Sequence, residues 1–172
     1  MRILITGTPG TGKTTIAKVL AKQLRYALVN ERDFALDAGI GSMVEGELEL
    51  PLTKLASKLK EYLKNKNNFI IEGHVLCEIK LPIDLVFILI AKPKILEKRL
   101  SGRGYKTIKI LDNLFCEETQ YCEKNILKRY PQNKVFVVKN EKSLNQAVRS
   151  ILNKINESKD ITKIRNKRGK NE

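Results

Sequence analysis

The chain has 172 residues, of which 42% are hydrophobic and 30% charged, which is typical of a globular protein with one sizeable core. No apolar run reaches the roughly 20 residues of a membrane-spanning helix, which argues against a membrane-embedded protein. The formal net charge of +14 favours polyanionic partners such as nucleotides or RNA.

The N-terminus and the cysteines both predict a cytoplasmic location. The chain enters a predicted strand directly after Met1, with no pattern of a signal peptide. Cys77, Cys116 and Cys122 have neither C-x-x-C spacing nor a nearby histidine pair, which disfavours a zinc site. We therefore expect reduced thiols that serve packing.

Residues 7–14 read Gly-Thr-Pro-Gly-Thr-Gly-Lys-Thr, the complete G-x-x-x-x-G-K-[ST] phosphate-binding loop. An apolar run at 2–6 predicts a strand before it, and residues 15–24 have helical periodicity, so the motif has its required context. The glycines let backbone N–H groups point at phosphate oxygens. Lys13 would place its charge on the β- and γ-phosphates, and Thr14 would offer a hydroxyl to Mg²⁺.

The rest of the chain alternates between apolar strand patterns and helical periodicity. Strands are predicted at residues 2–6, 27–30, 69–72, 84–90 and 134–138, and helices at 15–24, 51–64, 93–100, 111–129 and 143–155, with Ser143 as a cap. This alternation predicts a three-layer α/β P-loop NTPase fold around a central parallel five-stranded sheet. Ligands should gather at the carboxyl ends of the strands, where the phosphate-binding loop, Asn30 and Glu72 lie.

Glu72-Gly73-His74 follows a predicted central strand. A carboxylate at this place can hold Mg²⁺ through water, which makes Glu72 a candidate metal ligand. His74, the only histidine of the chain, could contact the water shell of the metal or the attacking group. A purely structural role for His74 stays open.

Residues 103–113, which begin Arg103-Gly104-Tyr105, follow a helix that carries basic residues. Small nucleotide kinases place a short mobile lid at this point, and its arginine can fold over the triphosphate to neutralise developing charge. The alternative is a basic loop without catalytic function.

Together these segments resemble adenylate kinase isoenzyme six, the family of the coilin-interacting nuclear ATPase and its archaeal relatives. The resemblance runs from about residue 2 to residue 155, and Arg-Gly-Tyr followed by Asp112-Asn113 distinguishes this branch from ordinary adenylate kinases. It implies a nucleoside monophosphate kinase-like fold with a short lid. It also implies a broad kinase activity (ATP + AMP = 2 ADP) with ATPase activity, and a role in late maturation of the small ribosomal subunit through a ribosomal platform protein.

The resemblance also implies the site residues. Carried over by position, the ATP-binding residues would be Gly10, Gly12, Lys13, Thr14, Thr15 and Arg103. Residues 30–53 would bind the monophosphate (AMP), and 103–113 would form the lid. The chain departs from the family pattern at Glu72-Gly73-His74, where members commonly have Asp-Tyr-His, and at Leu36, where an arginine often stands, although Arg32 lies nearby.

The domain assignment divides the chain into a kinase domain at residues 1–157 and a tail at 158–172. The tail carries six basic residues and two acidic residues without a pattern, which predicts a disordered arm. This arm could bind RNA or could only keep the protein soluble.

Two functions remain open. The first is an enzyme in which Lys13, Glu72, His74 and Arg103 serve transfer, with Mg²⁺ on Thr14 and Glu72. The second is an ATP-switched ribosome assembly factor whose acidic loop, Glu45–Glu49, would hold a basic ribosomal protein while the basic body faces 30S rRNA.

Overall fold

The computed structural model describes residues 1–44 and 47–168, with side-chain detail for 1–44 and 48–160. In these ranges the strands are β1 Arg2–Thr6, β2 Ala27–Asn30, β3 Ser42–Val44, β4 Glu47–Glu49, β5 Phe69–Glu72, β6 Leu85–Ile90 and β7 Val135–Lys139. The helices are α1 Lys13–Leu24, α2 Glu31–Asp37, α3 Leu52–Leu63, α4 Pro93–Ser101, α5 Thr107–Glu118, α6 Tyr121–Leu127 and α7 Leu144–Arg168. Single 3₁₀ turns lie at Val75–Glu78 and Gln132–Lys134.

The structure confirms the predicted parallel sheet of five strands. The strand order is β2-β5-β1-β6-β7. β3 and β4 form a separate antiparallel pair inside the region predicted to bind a monophosphate. Alternating side chains of β1 pack on the two faces of the sheet: Ile3 and Ile5 face α1 and α7, and Leu4 faces α3 and α6. Helices on both faces give the predicted three-layer α/β fold.

The register of the sheet brings polar side chains to one edge. Ile5 pairs with Glu72 between β1 and β5, and Asn30 pairs with Glu72 between β2 and β5. Because the strands are parallel, their carboxyl ends and the loop after β1 meet at this edge.

Two helices differ from the prediction. The predicted helix at 111–129 is two helices, α5 and α6, because Gln120 adopts a left-handed conformation at φ 55° between them. α5 begins at Thr107, so residues 107–113 of the predicted lid are helical and only 102–106 form a loop.

The last helix also differs. It extends through Arg168 rather than ending at Ile155, so it continues past residue 158, where the predicted tail begins. No glycine or proline interrupts this stretch before Gly169, and lysine and arginine favour helix. Ser143 caps the helix as predicted, since its Oγ accepts the N–H of Gln146 at 3.2 Å. The predicted tail beyond Arg168, and Glu45 and Gly46 of the acidic loop, lie outside the described residues.

A search of the described residues for a helix with the length and apolarity of a bilayer span finds none.

Candidate active site

The phosphate-binding loop curls over the N-terminus of α1. Gly10 and Gly12 have φ values of 91° and 96°, which side chains other than glycine rarely adopt. A Cβ atom on Gly10 would lie 2.7 Å from Leu96 Cδ1, and one on Gly12 would collide with the amide of Asn140. Glycine at these two positions therefore allows the tight loop from which backbone N–H groups can bind phosphate at the N-terminus of α1.

Lys13 folds back onto the loop that carries it. Its Nζ donates to the carbonyl oxygen of Gly7 at 2.9 Å and to that of Thr8 at 3.1 Å. Burial lowers the pKa of Lys13, and the charges of Cys122 and Glu72 partly oppose that shift. The ammonium group is thus held at the base of the loop, within reach of an anion bound there.

The side chains of Thr14 and Glu72 are in direct contact, as a magnesium site shared by the two residues would require. Thr14 Oγ1 donates to Glu72 Oε1 at 2.9 Å, and the side-chain amide of Asn30 donates to the same oxygen. Glu72 is 1% exposed, at the end of β5. A hydroxyl and a carboxylate this close supply the hard oxygen atoms that Mg²⁺ prefers, so both residues fit a shared ion.

His74 points at the underside of the loop. Its Nδ1 lies 3.2 Å from the carbonyl oxygen of Gly7 and 3.6 Å from Cys122 Sγ. Burial opposes the charged ring, but the hydrogen bonds with Cys122 and with Gly7 outweigh it and raise the pKa of His74. In this geometry the His74 ring supports the backbone at Gly7, whose carbonyl oxygen also accepts a hydrogen bond from Lys13 Nζ.

Sequence reasoning missed Glu31, a carboxyl group that lies at the start of α2. Its Oε2 accepts the N–H of Leu76 at 3.0 Å, and the residue is 8% exposed. Burial raises the pKa of Glu31 to about 7, with Lys13 and the hydrogen bond from Leu76 opposing the shift. No motif marked it, since only the fold places it beside Gly73.

The Glu31 side chain lies directly against the backbone of Gly73. A Cβ atom on Gly73 would collide with the Glu31 carboxyl group. The absence of a side chain at Gly73 therefore leaves room for the Glu31 side chain.

The G73A variant should be less stable than the native protein by about 1–3 kcal/mol, because the added methyl group overpacks the Glu31 carboxyl. Urea unfolding followed by circular dichroism measures the difference. The E31G variant is the matched background, since glycine removes all the Glu31 atoms that would collide, the Cβ included. An equal cost of G73A with and without Glu31 would contradict the steric account.

Three further residues brace the loop, and sequence reasoning missed them too. Asn140, after β7, donates from Nδ2 to the Thr11 carbonyl at 2.8 Å, and Arg99 Nη2 donates to the Asn140 carbonyl at 2.9 Å. Glu117 of α5 accepts the N–H of Ala91 at 2.8 Å and the Thr8 hydroxyl at 2.5 Å. The signal for Asn140 was its place at a strand end; Arg99 and Glu117 lie within helices and had none.

One cavity of about 330 Å³ joins these parts. It is lined by every residue predicted for the site, namely Gly10, Gly12, Lys13, Thr14, Thr15, Glu72, His74 and Arg103. Arg103 reaches it from the loop between α4 and α5, together with Tyr105. The fold thus collects residues from four segments of the chain around one space.

A second cavity of about 270 Å³ adjoins the first, and Thr14, Asn30 and Glu72 line both. Its far wall carries Phe34 and Tyr62, whose ring centroids lie 5.1 Å apart. An aromatic wall beside carboxylates and amides can hold a flat heterocyclic group.

Comparison with known proteins assigns the family. A family model described as an AAA domain matches residues 3–123. A protein of Pyrococcus furiosus named "Putative adenylate kinase" is 40% identical over 156 residues, which cover 91% of this chain and 84% of that protein. This chain belongs to the same family. It is the family of adenylate kinase isoenzyme six and its archaeal relatives that the sequence motifs indicated.

Other relatives carry the same name. The protein of Pyrococcus abyssi is 48% identical over 117 residues, and that of Thermococcus kodakarensis is 45% identical over the same length. The matched part covers 68% of this chain in both cases, but only 63% and 64% of those two relatives.

Solved structures agree on the fold. A deoxyadenosine kinase from M. mycoides superposes with a TM-score of 0.62 at 20% identity, covering 91% of this chain and 100% of that one. The shikimate kinase of Aquifex aeolicus gives the same TM-score and identity, covering 91% of this chain and 97% of that one. Each match establishes the P-loop kinase fold alone.

Proposed function

We propose that this protein is a nucleoside monophosphate kinase that converts ATP and AMP to two molecules of ADP. The observation that carries the proposal is the single cavity where Lys13, the Thr14–Glu72 pair and Arg103 converge. The family relatives named as adenylate kinases support the same reaction class.

In the proposed reaction, a phosphate oxygen of AMP attacks the γ-phosphorus of ATP. A new P–O bond forms while the bond to the β-phosphate bridging oxygen breaks, and ADP leaves. The attacking oxygen is already anionic, so catalysis consists of positioning and charge neutralisation. Mg²⁺, bound through Thr14 and Glu72, would supply charge neutralisation on the phosphate oxygens.

Lys13 has to exchange partners in this reaction. Its Nζ leaves the carbonyl groups of Gly7 and Thr8 and donates to phosphate oxygens instead. Both sets of acceptors lie along the same loop, so a change of side-chain torsions is sufficient. The exchange replaces neutral acceptors with charged ones, which form stronger hydrogen bonds.

We place the acceptor nucleotide in the second cavity, against Phe34 and Tyr62. The shared residues Asn30 and Glu72 put its phosphate end next to the first cavity. Arg32 lines the first cavity and is the candidate partner for the acceptor phosphate.

An acceptor panel tests the proposal. ATP and Mg²⁺ are incubated with AMP, CMP, UMP, GMP or adenosine, and the products are separated by anion-exchange chromatography. We expect nucleoside diphosphates from the monophosphates and no AMP from adenosine. Phosphorylation of adenosine without any of the monophosphates would overturn the proposal.

The R103A variant should lose at least about 10-fold in kcat, with a smaller change in the KM for ATP. Arg103 is exposed at the cavity rim, where contact with the triphosphate would form on closure of the 103–113 lid. Steady-state kinetics measure both constants. K106A, an exposed lysine of the same loop that does not line the cavity, is the matched control. A raised KM with unchanged kcat would mean that Arg103 only binds ATP.

A second candidate function is favoured by the net charge of +14. The protein could use ATP hydrolysis to change its affinity for a ribosomal protein or 30S rRNA. Kinase turnover would then be secondary to this binding function. The same cavity serves hydrolysis if water takes the acceptor position. We propose a cytoplasmic location for either function, based on the free thiols of Cys77, Cys116 and Cys122.

Deleting residues 161–172 should leave phosphoryl transfer intact and weaken binding to small ribosomal subunits at low salt. The deleted part carries five basic residues and one acidic residue. Among the side chains of α7 that the structure describes, which end at Asp160, Ile155 is the last that is fully buried. Binding that depends on such charges falls steeply with salt. Cosedimentation of full-length and shortened protein with 30S subunits at two salt concentrations measures this. Equal binding by both forms at low salt would refute a role for the tail.

A further inference from the structure

A pair of thiols lies beneath the phosphate-binding loop. Cys122 of α6 is 4% exposed and Cys77 of the 3₁₀ turn is fully buried. Both lie in the same buried cluster, where α6 packs on the 3₁₀ turn. Cys122 Sγ also lies 3.6 Å from His74 Nδ1. The Cys122 sulfur therefore has a second thiol and an imidazole as neighbours, and it is not an isolated packing residue.

The environments of the two thiols shift their pKa values in opposite directions. The interaction with Cys77 lowers the pKa of Cys122, with help from His74 and Lys13 and against the effect of burial. The same interaction, together with burial, raises the pKa of Cys77. A thiolate in contact with a protonated thiol is the arrangement from which disulfides form.

A small reagent can approach this pair. A cavity of about 250 Å³ at the end of β6 is lined by Cys122 and Cys116, and by Gly7 and Thr8 of the loop. A water molecule occupies about 30 Å³ of liquid volume. A molecule with two oxygen atoms, such as hydrogen peroxide, therefore fits the cavity.

We propose that Cys77 and Cys122 form a redox-responsive dithiol that hydrogen peroxide converts to a disulfide. The Cys122 thiolate attacks one peroxide oxygen, an S–O bond forms, and the O–O bond breaks to release hydroxide, which takes up a proton. The Cys77 thiol then attacks the Cys122 sulfenic acid, the S–S bond forms, and water leaves. In sum, two thiols are oxidised and one peroxide is reduced to two waters.

The disulfide would change the site above it. His74 loses the thiolate at its Nδ1, and α6 becomes linked to the 3₁₀ turn that directly follows Glu72, Gly73 and His74. Oxidation is therefore expected to lower phosphoryl transfer, and a thiol reductant should restore it. This consequence rests on the proposed function, whereas disulfide formation does not.

The test treats the full-length protein with hydrogen peroxide and then blocks remaining thiols with iodoacetamide. Mass spectrometry should show the loss of two hydrogen atoms together with one carbamidomethyl group, on Cys116, and peptide mapping should join Cys77 to Cys122. C116A, which removes the third thiol that lines the cavity, is the matched control and should give the same product. In C77A and C77S, Cys122 should instead be trapped as a sulfenic acid by dimedone.

The outcomes are distinct from those of the kinase assay. A Cys122 that stays reduced in native protein shown folded by circular dichroism, or one that pairs with Cys116, would overturn the proposal. A mapped Cys77–Cys122 disulfide in a protein that phosphorylates no nucleotide would support the dithiol and contradict only the proposed function.

Discussion

Replacing Lys13 by alanine is expected to lower both ADP formation and ATP hydrolysis by about 10²-fold or more. Lys13 is the only basic residue of the phosphate-binding loop, residues 7–14, and its ammonium is held at the base of that loop by Gly7 and Thr8. Alanine leaves the loop backbone without the positive charge that the transferring phosphate needs. Coupled assays of the purified variant measure the two rates.

The control for Lys13 lies on the same helix. K22A removes an exposed lysine from the last turn of α1 and should keep native rates. Circular dichroism and thermal unfolding check that K13A is folded, since its buried neighbours Glu31 and Glu72 lose a cation. Near-native turnover in folded K13A would show that this loop is not the site of transfer.

Replacing Glu72 by glutamine is expected to lower kcat by about 10- to 100-fold and to raise the Mg²⁺ concentration needed for half-maximal rate. Glutamine keeps the size of the side chain but removes the charge that Thr14 and Asn30 share. Mg²⁺ titrations of the initial rate give both quantities.

The E72D variant is the informative companion, because aspartate is the residue common in the family. It keeps the charge and shortens the side chain by one methylene, so most of the activity should remain. Loss of activity in E72D equal to that in E72Q would mean that geometry, and not charge, is decisive. Native activity in E72Q would contradict a metal role for Glu72.

The sequence was sufficient for the sheet and for the main site because both depend on local patterns. Short apolar runs between helical periodicities marked the five parallel strands, and the glycine motif fixed the loop after β1. Parallel strands end at one edge, so Asn30 and Glu72 were expected near the loop. The structure confirms that placement, whereas the chemical roles of the residues stay predictions.

The remaining features depend on contacts between distant parts of the chain. Glu31 and Gly73 share a space that only the β2–β5 pairing creates, and Glu117 reaches Thr8 across 109 residues. The break between α5 and α6 rests on the backbone of Gln120, a residue without strong turn preference. The Cys77–Cys122 contact likewise has no signature in the spacing of the cysteines, which is why they were expected to serve only packing.

The fate of the γ-phosphate tests the central claim most directly. ATP labelled with ³²P at the γ position is incubated with AMP, Mg²⁺ and the native protein, and the products are separated by thin-layer chromatography. The account predicts that the label appears in ADP, at its β-phosphate, and that little becomes inorganic phosphate while AMP is present. Label that appears only in inorganic phosphate, at a rate unaffected by AMP, would contradict the kinase assignment and favour the ATP-hydrolysing assembly factor.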